Sequence, residues 1–529
     1  MLFTSYEFLL FVALLLLLYY TLPRRVQWPL LLSASLIFYA FAGISYLAFI
    51  LILTAAAYAT TRIMSAMSER EEKYIKLHAE NMSKDDRREF RAHEKKKRFR
   101  VLVAGLVVGF GILAVIKYTG FVIDNLNALI HVFGGTGIKP PDFLLPLGIS
   151  FYTFQTMGYL IDVYRGKVTA ERNPAKLLLF VSFFPQLIQG PISRFGDLAG
   201  QLTEGHSFEA KNLVFGLQRM LWGYFKKLVI ADRMLIAVRE LTEKPDEYRG
   251  VYVLLLILFY SIEIYADFTG GIDITIGIAE ALGIKLTENF RHPFFSKSTK
   301  EYWRRWHITM GTWFTDYVFY PLSVSKPMQK LSKRSRERLG TQIGKRIPVY
   351  LATIVTWFLT GLWHGAGWNF IVWGLLNCFI ILISQELQPL YDGFHERFPR
   401  LGSSRIYSVF MMSRTSWLMG TVRVLDCYRN VPLTARMVGS IFTTVNLSAL
   451  WQGALTSLGL GIADYIVVAA GCCLMLCVSL LGEKCDIRER LYGKTAASAA
   501  LCSLLLLSII IFGAYGVGYD ASQFIYNQF

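Results

Sequence analysis

Charge is scarce in this sequence. Asp, Glu, Lys and Arg make up 18% of its 529 residues, while 54% are hydrophobic; an ordinary soluble domain carries about 25% charged residues. That balance excludes a soluble globular enzyme and a disordered chain. Cysteine is sparse as well. The seven (Cys378, Cys427, Cys472, Cys473, Cys477, Cys485 and Cys502) have no metal-finger spacing and lie mostly in apolar runs, where cysteine acts as a small hydrophobe. A disulfide-rich secreted domain is excluded with them. The sequence has no GxxxxGK[ST] phosphate loop, no GxSxG elbow and no HExxH zinc motif, so ATP-driven transport and zinc proteolysis lose their usual signatures. No metal and no permanently bound cofactor is expected.

What the chain does have is positive charge, in two places. Lys and Arg number 55 against 38 acids, a net charge of +17. Residues 62–100 hold 13 Lys/Arg and 8 acids, and residues 323–346 hold 8 Lys/Arg and one acid, Glu337. These two stretches supply 12 of the 17 net charges. Charge so localised, between apolar blocks, marks the cytoplasmic side of a membrane protein rather than a nucleic-acid surface; no nucleic-acid partner is expected.

The apolar blocks set the topology. Residues 2–20 are almost wholly apolar, and about 20 such residues span a bilayer. Arg24 and Arg25 follow this run and no Lys or Arg precedes it, which is the reverse of a cleaved signal peptide. The segment reads as a retained helix with its N-terminus outside. Two more apolar segments, 27–42 and 45–61, then place 62–100 in the cytoplasm, as the positive-inside rule independently does. Residues 101–118 cross outward, 119–142 suit an external loop, and 143–161 return. Segment 177–192 is apolar but broken by Pro185, Gly190 and Pro191, which suits backbone buried in protein or lining a cavity. Further blocks lie near 212–238, 250–284, 349–363, 368–385, 407–422, 458–481 and 497–518. The expectation is an all-α polytopic membrane protein. It has about eleven or twelve transmembrane helices, plus re-entrant or interfacial helices, around a deep central site. Segment 301–322 should lie in the interface or dip in and return, because basic residues flank it on both sides. In order, the chain reads as N-terminal membrane helices (1–61), a basic cytoplasmic segment (62–100), a core (101–385, including the basic stretch 323–346) and C-terminal membrane helices (386–529).

Of the eight histidines, His78 and His93 fall in the charged segment, His131, His206 and His395 in expected loops, and His292 in a polar approach to the membrane. His307 and His364 stand apart. His364 lies in the run Gly361-Leu362-Trp363-His364-Gly365-Ala366-Gly367-Trp368, at the end of an expected helix from Tyr350 to Trp363. That helix carries it roughly 20 Å into or across the bilayer. An ionisable group at that depth is costly unless it faces a cavity or a partner. The plainer reading is an interfacial His in a Trp belt, with glycines for close helix packing. A second aromatic-flanked histidine, His307, with Arg304, Arg305 and Asp316 nearby, weighs toward function. Glu263, Asp267, Asp273 and Glu280 within an apolar block fit either a polar interior or hydrogen bonds that fix the helix bundle.

Four ordered motifs carry a family resemblance: Pro146-Leu147-Gly148-Ile149-Ser150-Phe151-Tyr152-Thr153-Phe154-Gln155, Gln189-Gly190-Pro191-Ile192-Ser193-Arg194, Trp303-Arg304-Arg305-Trp306-His307-Ile308, and the His364 run. Together they resemble the membrane-bound O-acyltransferase (MBOAT) family, in its bacterial branch of alginate O-acetylation and D-alanyl-transfer proteins. The match is strong over about residues 143–385. The resemblance implies acyl transfer, most readily of acetyl, from a cytoplasmic thioester donor such as acyl-coenzyme A to a hydroxyl. In this branch the acyl group is passed toward an extracytoplasmic polysaccharide or a partner protein of SGNH type. It also implies a bacterial cytoplasmic-membrane location in the cell envelope and His364 and His307 as the two family histidines. Tyr320-Pro321-Leu322 is followed by Ser323-Val324-Ser325-Lys326, not the Gly-Gly-Asn-Arg element common in alginate-type relatives, which points away from alginate itself as acceptor.

The chemistry expected is that of a base and its support. A histidine titrates near neutrality and can take the proton of an acceptor hydroxyl, the role assigned to His364. His307, or a nearby Arg or Asn, would orient the thioester or stabilise the developing oxyanion. Trp303, Arg304, Arg305, Trp306, Trp363, Trp368 and Asp316 are the candidate substrate contacts. Two alternatives stay open: D-alanyl transfer from an acyl carrier protein to teichoic acid, and a transporter with no covalent chemistry. The bilayer is a partner in every reading.

Overall fold

The computed structural model describes residues 2–141, 143, 145–187 and 189–515. Among them the chain is helical throughout, and its one β-type pairing is an isolated antiparallel bridge between Phe290 and Trp306. Seven helices are long and apolar enough to cross a membrane: Tyr46–Leu77, Lys84–Val132, Val251–Ala281, Lys326–His364, Trp368–Glu386, Ile462–Gly482 and Thr495–Phe512. The apolar helix Tyr6–Thr21 is shorter. This is an all-α polytopic membrane protein. Two compact units divide the chain, one of Met1–Gly216 with Ile278–Thr287 and one of Leu217–Gly277 with Glu288–Phe529.

In the first unit, the charged stretch 62–100 is not a loop. It is the end of Tyr46–Leu77 and the start of Lys84–Val132, packed as a helical pair. Ser83 begins the second helix with a reciprocal cap: its hydroxyl accepts from the Asp86 amide, and the Asp86 carboxylate accepts from the Ser83 amide. Arg98 and Glu71 pair across the two helices at 2.9 Å. The external loop expected from residue 119 begins later, because the helix runs unbroken to Val132. The helix breakers Gly134, Gly135, Pro140 and Pro141 all lie beyond that point. His131 is therefore helical rather than in a loop, as is His395 in the Gln388–Arg397 helix. The broken character of 177–192 is present: Pro174–Ser182 ends at Phe183, and a single turn, Phe184–Leu187, follows.

In the second unit, the helix bearing His364 does not start at Tyr350. Lys326–His364 comprises two helices divided by a kink at Gly340, which adopts φ 79°, and the one that ends at His364 begins just after it. Lys, Arg, Gln and Leu are good helix formers, so the basic stretch before the kink is itself helical. Segment 301–322 is fragmented: Thr299–Arg305, then Ile308–Phe314, then a widened π-type turn over Thr315–Phe319. Two of the acidic residues of Val251–Ala281, Asp267 and Asp273, are met by lysines of the π-helical segment Phe225–Ala231. Lys227 lies 2.6 Å from both Asp267 and Asp232, and Lys226 lies 2.6 Å from Asp273. Buried carboxylates paired in this way fix helix register.

Candidate active site

His307 sits at the break between Thr299–Arg305 and Ile308–Phe314. Its backbone is left-handed (φ 49°, ψ 53°) and it has no exposed surface. A non-glycine residue in this region costs about 1–3 kcal/mol and persists only where its surroundings over-determine it. Here they do. The chain on either side is laid against residues 289–291: the Arg291 amide donates to the Arg305 carbonyl (2.9 Å) and the Ile308 amide to the Asn289 carbonyl (3.0 Å). The Asn289 side chain, also fully buried, closes the corner. Its Oδ1 accepts from the Thr309 amide and hydroxyl, each at 3.0 Å, and lies 3.3 Å from His307 Nδ1. Phe268 meets the imidazole edge-on at 5.0 Å. Burial pushes the His307 pKa down to about 3, so this imidazole is neutral near neutral pH.

His364 is the last residue of its helix and is half-buried. Three residues, Gly365 to Gly367, turn the chain into Trp368–Glu386. The two helices touch backbone to backbone. A Cβ on Gly374 would stand 2.4 Å from the Trp357 carbonyl oxygen, and one on Gly361 would stand 2.5 Å from the Phe370 carbonyl oxygen. Only glycine permits this approach. The plain packing role for these glycines and the functional one are thus the same fact, because close contact brings Trp373 to 4.5 Å from the His364 ring. Trp363, buried, lies 4.9 Å from His364 and 5.5 Å from His307. One indole therefore contacts both imidazoles.

The remaining expected residues divide. Trp303 belongs to the cluster: its ring lies 5.1 Å from Trp357 and 5.5 Å from Trp373, and its Nε1 donates to Asn377 (3.2 Å). Trp306 is buried beneath the guanidinium of Arg423, which stands 3.7 Å from the ring centre and donates to the Tyr302 hydroxyl (2.8 Å). Arg305 pairs with Glu301 (3.0 Å) and Glu483 (2.7 Å). Arg304 and Asp316 are exposed. Trp368 is 58% exposed and lines a cavity of about 740 Å³ with Gly365, Arg429 and Asn430. Asn289, Arg423, Trp357, Trp373 and Asn377 escaped the sequence reading. Among the described residues, no three His, Cys, Asp or Glu side chains converge as a metal site requires.

Two histidine-bearing segments thus meet at Trp363 on a helical membrane scaffold. The profile of the membrane-bound O-acyltransferase family matches residues 170–422. The chain is 32% identical over 474 residues to the probable alginate O-acetylase AlgI of Azotobacter vinelandii, covering 89% of this chain and 84% of that protein. The chain belongs to the membrane-bound O-acyltransferase family. A peptidoglycan O-acetyltransferase of Helicobacter pylori is 30% identical over 57% of this chain and 58% of its own length. A teichoic acid D-alanyltransferase of Bacillus subtilis is 28% identical over 50% of this chain and 65% of its own length. This MBOAT chain is accordingly an O-acyltransferase of the membrane, and both segments carrying His307 and His364 fall inside the matched family region.

Proposed function

We propose that this enzyme moves an acetyl group from a cytoplasmic acyl-coenzyme A thioester toward a hydroxyl of an extracytoplasmic polysaccharide, with His364 as general base. The observation that carries the division of labour is the unequal setting of the two imidazoles on one tryptophan. His307 is fully buried and held neutral, which suits a fixed hydrogen-bonding group. His364 is half-buried at a helix end beside a glycine turn, the less enclosed of the two rings although its Nε2 is itself buried. In the reaction the acceptor oxygen attacks the thioester carbonyl while His364 takes its proton. The carbon–sulfur bond then breaks, the ester forms, and His364 returns the proton to the departing thiolate.

Relatives named for O-acetylation of alginate and of peptidoglycan support acetyl as the group and a polysaccharide as the acceptor. The localised positive charge supports an inner-membrane orientation with the N-terminus outside. Final delivery to the polymer is assigned to a separate SGNH-type protein. The test uses purified enzyme, labelled acetyl-coenzyme A and the candidate partner, and follows the label. His364→Ala should lower transfer by about 10²–10⁴-fold; undiminished label transfer by that variant removes the base assignment.

The match to a teichoic acid D-alanyltransferase favours a second reading, D-alanyl transfer from an acyl carrier protein. The largely exposed basic helix face within 326–346 would suit an acidic carrier. Comparing acetyl-coenzyme A with a D-alanyl-loaded carrier as donor separates the two.

A further inference from the structure

A second cavity of about 620 Å³ lies on the far side of the segment that holds His307. Glu288 and Phe290 line it, while Asn289 between them reaches His307. Alternate residues of an extended segment point opposite ways, so one strand of chain is a wall shared by the cavity and the histidine corner. His307 and His364 do not line this cavity, whereas His292 does.

The cavity has three chemically distinct parts. Its floor is polar but already neutralised. Arg219 grips both oxygens of Glu288 at 2.6 Å and reaches Asp273 at 3.0 Å, and Lys226 reaches Asp273 at 2.6 Å. One wall is apolar: Leu474, Met475 and Val478 from Ile462–Gly482, and Leu501 and Leu505 from Thr495–Phe512. Only 17% and 11% of the apolar windows of these helices are buried in the protein, so they face lipid hydrocarbon. The mouth carries Arg291, Arg488, Glu483 and Asp486. The acids there are engaged: Glu483 pairs with Arg305 at 2.7 Å, and Asp486 caps the following helix through the amides of Arg488 and Glu489 and stands 3.8 Å from the Arg488 guanidinium. Arg291 is exposed and forms no ion pair among the described residues. The mouth thus offers an anion the Arg291 guanidinium, with Arg488 in a loose pair with Asp486 beside it, in the same cavity as the apolar wall.

We infer that this cavity holds an anionic glycerophospholipid of the surrounding membrane. Its phosphate sits on Arg291 and Arg488, in the forked geometry guanidinium groups give to phosphate. An acyl chain lies along Leu474, Val478 and Leu505. The bound lipid packs against Phe290 and so holds Asn289 in place. The binding claim stands by itself, whereas any effect on turnover rests on the acyltransfer reading.

The experiment is native mass spectrometry on the delipidated, detergent-purified full chain, titrated with phosphatidylglycerol or with diacylglycerol of the same chains. The wild type should retain one phosphatidylglycerol and no diacylglycerol. Arg291→Ala with Arg488→Ala should weaken retention roughly 30-fold, at about 1 kcal/mol per arginine. Leu474→Trp, which fills the slot from its apolar end, should abolish it without touching the charges. Equal retention by wild type and both variants, or equal retention of diacylglycerol, overturns the inference. Displacement of the lipid by millimolar inorganic phosphate marks a phosphate site and overturns the lipid assignment; resistance to it supports the lipid. Because the readout is binding, it can fail while acyl transfer is intact, and the converse also holds.

Discussion

Asn289 Oδ1 faces His307 Nδ1 at 3.3 Å while already accepting two hydrogen bonds from Thr309. An amide oxygen only accepts, so the imidazole nitrogen turned to it is assigned as the protonated one. Nε2 then carries the lone pair. The asparagine thereby selects the tautomer and the ring angle together, as second-layer carboxylates and carbonyls do for histidines elsewhere.

Asn289→Ala should lower kcat by roughly 100-fold, comparable to losing one oriented hydrogen-bonding group, with KM for the donor little changed. Asn289→Asp should behave differently. A carboxylate at this distance favours imidazolium and raises the His307 pKa, so its activity should fall as pH drops through the raised value. Steady-state rates from pH 5.5 to 8.5 check this; matching profiles for Asp and Ala variants would leave Asn289 a packing residue.

The buried state of His307 makes the fold acid-sensitive. Its pKa is depressed from 6.5 to about 3 in the folded chain, so between those values the unfolded chain binds a proton that the folded chain does not. The contribution is complete above pH 6.5 and declines as pH falls toward 3, by about 1.4 kcal/mol per pH unit. His307→Gln should lose part of this slope. Thermal unfolding in detergent between pH 4 and 7 measures it.

Gly374→Ala should destabilise the protein by about 1–3 kcal/mol, because the new methyl would meet the Trp357 carbonyl. The helices must separate to admit it, which moves Trp373 from His364. Thermal unfolding and acyl transfer should therefore fall together.

Arg423→Lys should cost about 1–2 kcal/mol and not be rescued by retained charge. Lysine replaces neither the flat stack on Trp306 nor the hydrogen bond to Tyr302. Arg423→Met, which keeps the apolar stem, tests whether packing alone suffices; unfolding curves equal to wild type would show that it does.

Local features were legible in the sequence. The helical membrane class follows from apolar run lengths, the break in 177–192 from its prolines and glycines, and the two histidines from their aromatic, glycine-rich surroundings. What the sequence hid depends on tertiary approach. Asn289 looks like any loop asparagine until the chain turns at His307 and folds back on it. Arg423 sits in an unremarkable stretch of the Arg405–Tyr428 helix, and its meaning appears only when Trp306 lies beneath it. The loop expected at 119–142 failed for a simpler reason: low charge and a Thr-Gly pair, Thr119-Gly120, are compatible with helix, and the strong breakers come later. The aromatic contacts gave some warning, since a Trp at 303, 306, 357, 363 and 373 recurs around both histidines.

The first helical pair changes what its charges can act on. From Lys84 to the apolar run at Val101 the helix climbs 17 residues, about 25 Å at 1.5 Å each. Screening in cell-like salt acts over about 8 Å. Lysines and arginines near Val101 act on whatever surrounds the apolar run. Those near Lys84 lie roughly three screening lengths away along the helix and are electrically deaf to it. Their audience is whatever arrives from solution.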